Sequence, residues 1–287
     1  MLGSHLSQDE ILHQLRYGRP LRFKPVGTTS IVYQMLLDAE VNAAFKPASR
    51  QHPTGHLGEI AAYRISRCLG LDNVPPAISR TVRREEIWNR LHPDFTDTWQ
   101  DILEWTAWDE DNSVSGASIY WVPDLRDVGL DSRRRMDTWG LALHQEGTIR
   151  PERTRFYSDL STMLAFDYLV ANWDRFSGSN AQGTPSGDRL YSRDHNVAFA
   201  APLPISTHRR VLEGLLRTEK FSRTFVRRLM LLDERRLRAE LGRDPGAERR
   251  LPLNDAQIRG VMDRREALLS YVISLVHQHG EDRVLVF

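Results

Sequence analysis

The sequence predicts an α+β chain in two parts, the first rich in β-strands and the second mainly helical, and three observations carry that reading. Between Leu21 and Pro47, the runs "LRFKPV", "SIVYQMLLD" and "VNAAFKP" concentrate β-branched and aromatic residues, and "GTTS" and an Asp-Ala-Glu turn separate them. After Pro151, apolar residues recur at helical spacing, as in Leu160, Leu164, Tyr168 and Ala171. The chain has 287 residues, 40% hydrophobic and 27% charged. That make-up suits one large folded domain or two lobes and excludes a disordered chain.

Ser7 followed three residues on by Glu10 has the form of a capping box, so residues 8–17 form a short helix that stops at Gly18. The three strand-like runs then fit an antiparallel sheet. The polar loop "ASRQHPTGH" leads into "LGEIAAYRISRCLG", where Leu57, Ala61, Ile65 and Cys68 share one apolar face and Gly70 supplies the stop. Residues 74–123 hold Trp88, Trp99, Trp105, Trp108 and Trp121 and mix strands with irregular segments around "ASIYWVPDL". These tryptophans read as packing residues, not as a base-stacking platform. Beyond Pro151 come a core helix ending near Ala171, the polar loop "NWDRFSGSN", a Gly/Pro/Ser-rich connection at 181–188 and a short strand in "RLYSRDHNVAF". Amphipathic patterns close the chain at about 207–241 and 255–279, separated by "GRDPGAERRLP".

Composition narrows the function classes. No run of about 18 uncharged apolar residues exists, so no helical membrane span is expected. The start "MLGSHLSQDE" lacks the basic beginning and apolar centre of an export signal, and a cytoplasmic chain is expected. The single cysteine, Cys68, excludes an internal disulfide and sits among apolar residues, as a buried structural thiol does. A formal charge of +1 argues against a general nucleic-acid binder. Pro53 and Gly55 break the helix that would align His52 and His56 as zinc ligands. Neither a GxxxxGK[ST] loop nor a GxSxG elbow occurs.

Four residues, far apart in the chain, are of the types that phosphoryl transfer needs. Lys46 lies on the third strand, where a lysine can pair with nucleotide phosphates, and Glu59 lies on the next helix, where a carboxylate can hold that lysine or a metal. Asp174 follows the core helix in a loop, and Asp194 ends a short strand. One can orient or deprotonate an acceptor hydroxyl, and the other can bind the divalent ion that bridges the phosphates. Taken singly, each has a bland reading: a strand lysine covering apolar surface, a solvated helix glutamate, a turn aspartate ion-paired to Arg175, a strand-end cap. Their shared order favours the chemical one.

In that same order, "AAFKPASRQHPTGHLGEIAAYRISRCLGLDNVPPAISRTV", "ASIYWVPDL", "FDYLVANWDRFSGSN" and "LYSRDHNVAF" resemble the Fam20 group of atypical kinases, which includes the four-jointed kinases. The "FKP" block, the Glu-bearing helix followed by "VPP", and "NxDR" ahead of an Asp-containing strand carry the resemblance. It implies a two-lobed atypical protein-kinase-like fold over residues 1–287, with a β-rich N-lobe at 1–123 and a mainly helical C-lobe at 124–287. It implies ATP with Mg²⁺ or Mn²⁺ as cofactors, Lys46 as the phosphate-binding lysine, and Glu59 as its helix partner, also near the metal. It makes Asp174 the catalytic aspartate, Asp194 a metal ligand, and Asn180 a second metal-side residue whose spacing from Asp174 is one longer than in ordinary protein kinases. Gly27, Thr28, Thr29 and Ser30 become the turn over the phosphates. The implied reaction transfers the γ-phosphate to a hydroxyl of a protein Ser/Thr, a sugar or a glycan. The alternative is a nucleotide-binding pseudokinase that acts as an interaction protein. Many relatives read "DRH" where this chain reads "DRF", so Phe176 replaces a polar group beside the catalytic aspartate. One cysteine and no export signal fit a cytoplasmic bacterial member.

Overall fold

In the computed structural model, which describes residues 6–26, 31–39, 41–177 and 180–287, helix α1 (Gln8–Tyr17) opens on the expected capping box. The Glu10 backbone N–H donates to Ser7 Oγ at 3.3 Å, and the Ser7 N–H donates to Glu10 Oε2 at 2.7 Å. Two compact units make up the chain. One takes in Met1–Arg64, Pro75–Pro123 and Leu241–Pro252, the other Ile65–Val74, Asp124–Glu240 and Leu253–Phe287.

The first unit is built on one antiparallel sheet. Strands β1 (Pro20–Val26), β2 (Val32–Leu37) and β3 (Asn42–Pro47) follow α1, then helix α2 (Gly55–Leu69), β4 (Ala77–Arg83), helices α3 (Arg84–Asn89) and α4 (Trp99–Trp105), and β5 (Ser113–Tyr120). The order in the sheet is β1-β2-β3-β5-β4. Side chains alternate across the pleat, so Phe23, Tyr33 and Phe45 meet on the buried face, with ring centroids 5.7 and 6.3 Å apart. Arg80 of β4 donates to the carbonyls of Leu15 (3.0 Å) and Gly18 (2.7 Å), a cation placed on the orphan carbonyls at the end of α1. The Trp-rich stretch holds two short helices that its sequence did not announce. Trp88 packs on Trp99 at 5.0 Å, and Trp88 and Trp105 remain about half exposed.

Strand β5 lies directly against the strand that carries Lys46. Gly116 pairs with Pro47 and Ala117 with Lys46, and a Cβ on Gly116 would sit 2.5 Å from the Lys46 carbonyl oxygen and 2.7 Å from Phe45 Cε2. Backbone and a packed ring cannot yield cheaply, so Gly116→Ala is expected to cost about 1–3 kcal/mol, read as a lowered urea midpoint.

The second unit is mainly helical. It contains β6 (Arg126–Asp127), α5 (Arg133–Leu143), α6 (Thr154–Val170), β7 (Ala181–Gly183), β8 (Leu190–Ser192), α7 (Ile205–Leu216), α8 (Arg223–Met230), α9 (Glu234–Leu241), α10 (Asp255–His279) and α11 (Glu281–Val284). Strands β6, β7 and β8 pair antiparallel in that order. Helix α6 is buried on all sides from Asp159 to Val170 and forms the centre of this unit. The amphipathic pattern at 207–241 divides into α7, α8 and α9. The first break is held from outside the pattern: the Glu219 N–H donates to the Leu143 carbonyl (3.0 Å), the Phe221 N–H to Val284 (2.7 Å), and Lys220 to the Ala142 carbonyl (3.2 Å). At the second break Asp233 caps α9, accepting from the Arg236 N–H at 2.7 Å. No helix among the described residues is long and apolar enough to cross a membrane.

Candidate active site

The first unit holds the Lys46–Glu59 group, which is set by the pleat of β3. Ala43 and Phe45 point into the core, so Lys46 emerges on the opposite face. Its Nζ donates to Glu59 Oε1 on α2 at 2.6 Å, with the lysine side chain 15% and the glutamate 4% exposed. So little water reaches the pair that the lysine stays oriented by the carboxylate, a fixed positive charge suited to an anion. The sequence predicted one apolar face for α2, but burial runs unbroken from Gly58 to Ser66. Glu59 is thus a buried, paired carboxylate and not a solvated one. His56, in the first turn of the same helix, is held neutral: burial, with the nearby Arg250 charge, lowers its pKa to about 4.

The second unit holds a separate group of the expected residues, gathered at the end of α6. Ala171 adopts a left-handed conformation (φ 56°) and the Asn172 N–H bonds back to the Asp167 carbonyl at 2.8 Å, closing the helix and turning the chain into the loop. The Leu169 carbonyl accepts from Arg264 Nε at 2.9 Å and the Val170 carbonyl from the Phe199 N–H at 2.8 Å. Burial draws the Arg264 pKa down to about 10.

Arg175 organises the loop. Its Nε donates to Asp167 Oδ2 at 2.8 Å and its Nη2 to Asp167 Oδ1 at 2.9 Å, a bidentate pair almost wholly out of water. The same guanidinium reaches the carbonyls of Asn180 (3.0 Å) and Arg193, the Ser192 hydroxyl (3.0 Å), and a position 3.3 Å from His195 Nε2. One buried fork therefore joins α6, the 174–180 loop and the segment after β8. The bland reading of Asp174 paired it with Arg175; the structure pairs Arg175 with Asp167. Asp167 was missed, although a carboxylate inside the apolar run "AFDYLV" was its signal, since buried charges are almost always paired.

Asp174 stands in that loop, half buried. Its carboxylate accepts from the Ser177 hydroxyl and, at 3.4 Å, from Asn180 Nδ2, which also reaches the Asp174 carbonyl at 3.0 Å. Asp194 lies two residues beyond β8 with φ 61°, a conformation open to aspartate at some cost, and its carbonyl accepts from Asn172 Nδ2 at 3.1 Å. Asp174 and Asn180 are thus in direct contact, and Asp194 is joined to the same loop through Asn172 and Arg175. Gly27, Thr28, Thr29 and Ser30 lie outside the described residues.

The donor chemistry suits a hard divalent cation. Among the described residues no three His, Cys, Asp or Glu side chains converge to hold a metal, but Mg²⁺ carried by phosphates needs only one or two carboxylates. Asp194 and the amides of Asn172 and Asn180 supply oxygen donors, and Asn172 Oδ1 is buried with no hydrogen-bond partner among the described residues. Such an oxygen is where a cation or its water would be satisfied.

The geometry can be set beside known proteins. The sequence signature of the four-jointed box protein middle domain matches residues 47–201. No curated protein sequence matches the chain significantly. Among solved structures, hydra Fam20 with sugar aligns at a TM-score of 0.74 and 16% identity, covering 98% of this chain and 93% of that one. The Golgi casein kinase with Mn/ADP bound aligns at 0.71 and 16% identity, covering 97% of this chain and 78% of that one. The fold is the kinase-like fold of the Fam20 structures, and with the domain signature spanning more than half of its length, the chain belongs to the four-jointed box family of Fam20-like proteins.

Proposed function

We propose that this protein is an ATP-dependent kinase that transfers a γ-phosphate to a hydroxyl of a protein Ser/Thr, a sugar or a glycan. The observation that carries the proposal is the Lys46–Glu59 pair: a strand lysine oriented by a buried carboxylate on the following helix, 2.6 Å away. Lys46 would hold nucleotide phosphate, and Asp194, with Asn180 and Glu59, would hold Mg²⁺ or Mn²⁺. When bound, the ion would neutralise charge on the phosphate oxygens. Asp174 would orient the acceptor hydroxyl and take its proton. The fold match to a Golgi casein kinase that binds Mn/ADP and to a Fam20 that binds sugar supports the nucleotide, the metal and a hydroxyl acceptor. The lone, buried Cys68 supports a cytoplasmic, bacterial setting. Phe176 favours a second reading, a nucleotide-binding pseudokinase, because it packs against Trp139 and offers no polar group beside Asp174.

Nucleotide binding is tested by thermal unfolding with ATP and Mg²⁺ or Mn²⁺. At about 100 times its dissociation constant the nucleotide should stabilise the wild type by about 2.7 kcal/mol. Lys46→Ala loses a phosphate contact and Asp194→Ala a metal ligand, so both should shift less. Equal shifts in all three proteins would remove the proposed nucleotide site.

A further inference from the structure

A cavity in the second unit borders Asp174. Its volume is about 380 Å³, within the range of small-molecule sites, and its wall includes Trp139, Trp173, Phe176, Arg210 and Glu213. The apolar floor is made of packed rings. Phe176 stacks on Trp139 at 5.8 Å and 17°, and Trp139 is buried with its Nε1 donating to the Leu130 carbonyl at 3.3 Å. This packing turns the "DRF" departure into a feature of the cavity: the residue beside Asp174 is an aromatic wall.

The polar groups are differently committed. Arg217, also on the rim, has Asp137 at 3.8 Å. Arg210 and Glu213 are both exposed on α7 and have no ion-pair partner among the described residues. The Arg210 guanidinium lies 5.1 Å from the Trp173 ring. A guanidinium held by a ring face keeps its in-plane N–H donors, which match a carboxylate or phosphate in bidentate fashion. Glu213 and Asp174 can accept from hydroxyls. Ring faces, an uncommitted cation and two hydroxyl acceptors thus line one small space. A serine or threonine on a peptide would leave most of them unused.

We propose that this cavity is the acceptor subsite and that it takes a small anionic alcohol with an apolar ring face, a sugar acid or sugar phosphate, whose anion is read by Arg210. This deepens the kinase reading and rests on it for the fate of the hydroxyl. The acceptor oxygen forms a bond to the γ-phosphorus of ATP as the bond to the β,γ-bridging oxygen breaks. ADP leaves with that electron pair, and the hydroxyl proton passes to the Asp174 carboxylate.

The test is calorimetric titration of wild type, Arg210→Ala and Arg210→Lys with glucuronate, glucose 6-phosphate and glucose, beside a transfer assay with γ-labelled ATP on the same compounds. Glucuronate or glucose 6-phosphate should bind wild type at least about 10-fold tighter than glucose, a carboxylate or a phosphate being distinguished by which one does. Arg210→Ala should abolish that preference, and Arg210→Lys should retain only part of it, since the charge stays but the planar fork goes. Arg210 is exposed, so unchanged thermal unfolding should confirm intact variants. No binding of either anion, a preference for neither over glucose, or a preference that survives Arg210→Ala overturns the proposal. Arg210-dependent binding without labelled product leaves the anionic subsite standing and removes the kinase reading. Transfer from ATP to other acceptors without anion binding does the reverse.

Discussion

Asp174→Asn should lower phosphate transfer by at least about 100-fold and leave nucleotide binding nearly unchanged. The carboxylate is held by the Ser177 hydroxyl and by Asn180 Nδ2, and an asparagine keeps that outline while losing the charge that the proposed mechanism uses to accept a proton. General-base action and positioning are commonly worth about 10²–10⁴ in rate, an advantage present only in the transition state. The loss should therefore fall on kcat, while the thermal shift given by ATP and metal persists. The measurement is transfer of labelled γ-phosphate to a panel of hydroxyl acceptors, run beside that thermal shift. If wild type binds ATP but labels neither itself, water nor any acceptor, and Asp174→Asn changes nothing, the pseudokinase reading replaces the enzyme.

The largest effect on stability is expected at Arg175. Its pairing with Asp167 is buried on both sides, and the same guanidinium satisfies the carbonyls of Asn180 and Arg193. Removing one partner of a buried pair leaves the other charge desolvated, which typically costs about 3–5 kcal/mol. Arg175→Ala should lose stability of that order in urea unfolding, and Arg175→Lys should recover little, because an ammonium cannot reproduce the planar fork. Arg175 is, with Asn172, what ties the loop bearing Asp174 to the segment bearing Asp194, so any folded Arg175→Ala protein should also show a reduced nucleotide-induced shift. A loss below about 1 kcal/mol would place Arg175 among the surface ion pairs in its energetics and undo its role as organiser.

Much of this was legible in the chain because it is locally encoded. The Ser7–Glu10 box, the strands that contain Lys24 and Tyr33, the alternation that puts Lys46 opposite Phe45, and the stop at Gly70, whose φ is +66°, are each written within a few residues. Period, cap and turn are properties of short windows. The sequence could also put Lys46 on a strand and Glu59 on the next helix, since thirteen positions apart they still belong to adjacent elements. Only the tertiary structure decided the rest. It buried α2 on nearly every side, broke the 207–241 pattern after α7 with bonds to the Leu143 and Val284 carbonyls, and matched Phe176 to Trp139. Above all it brought Asp167, eight positions back, into a bidentate pair with Arg175. A buried charge takes the partner that the packed chain brings within reach in the right geometry, and that choice depends on distant segments such as Ser192–His195 meeting the end of α6, which no local pattern contains.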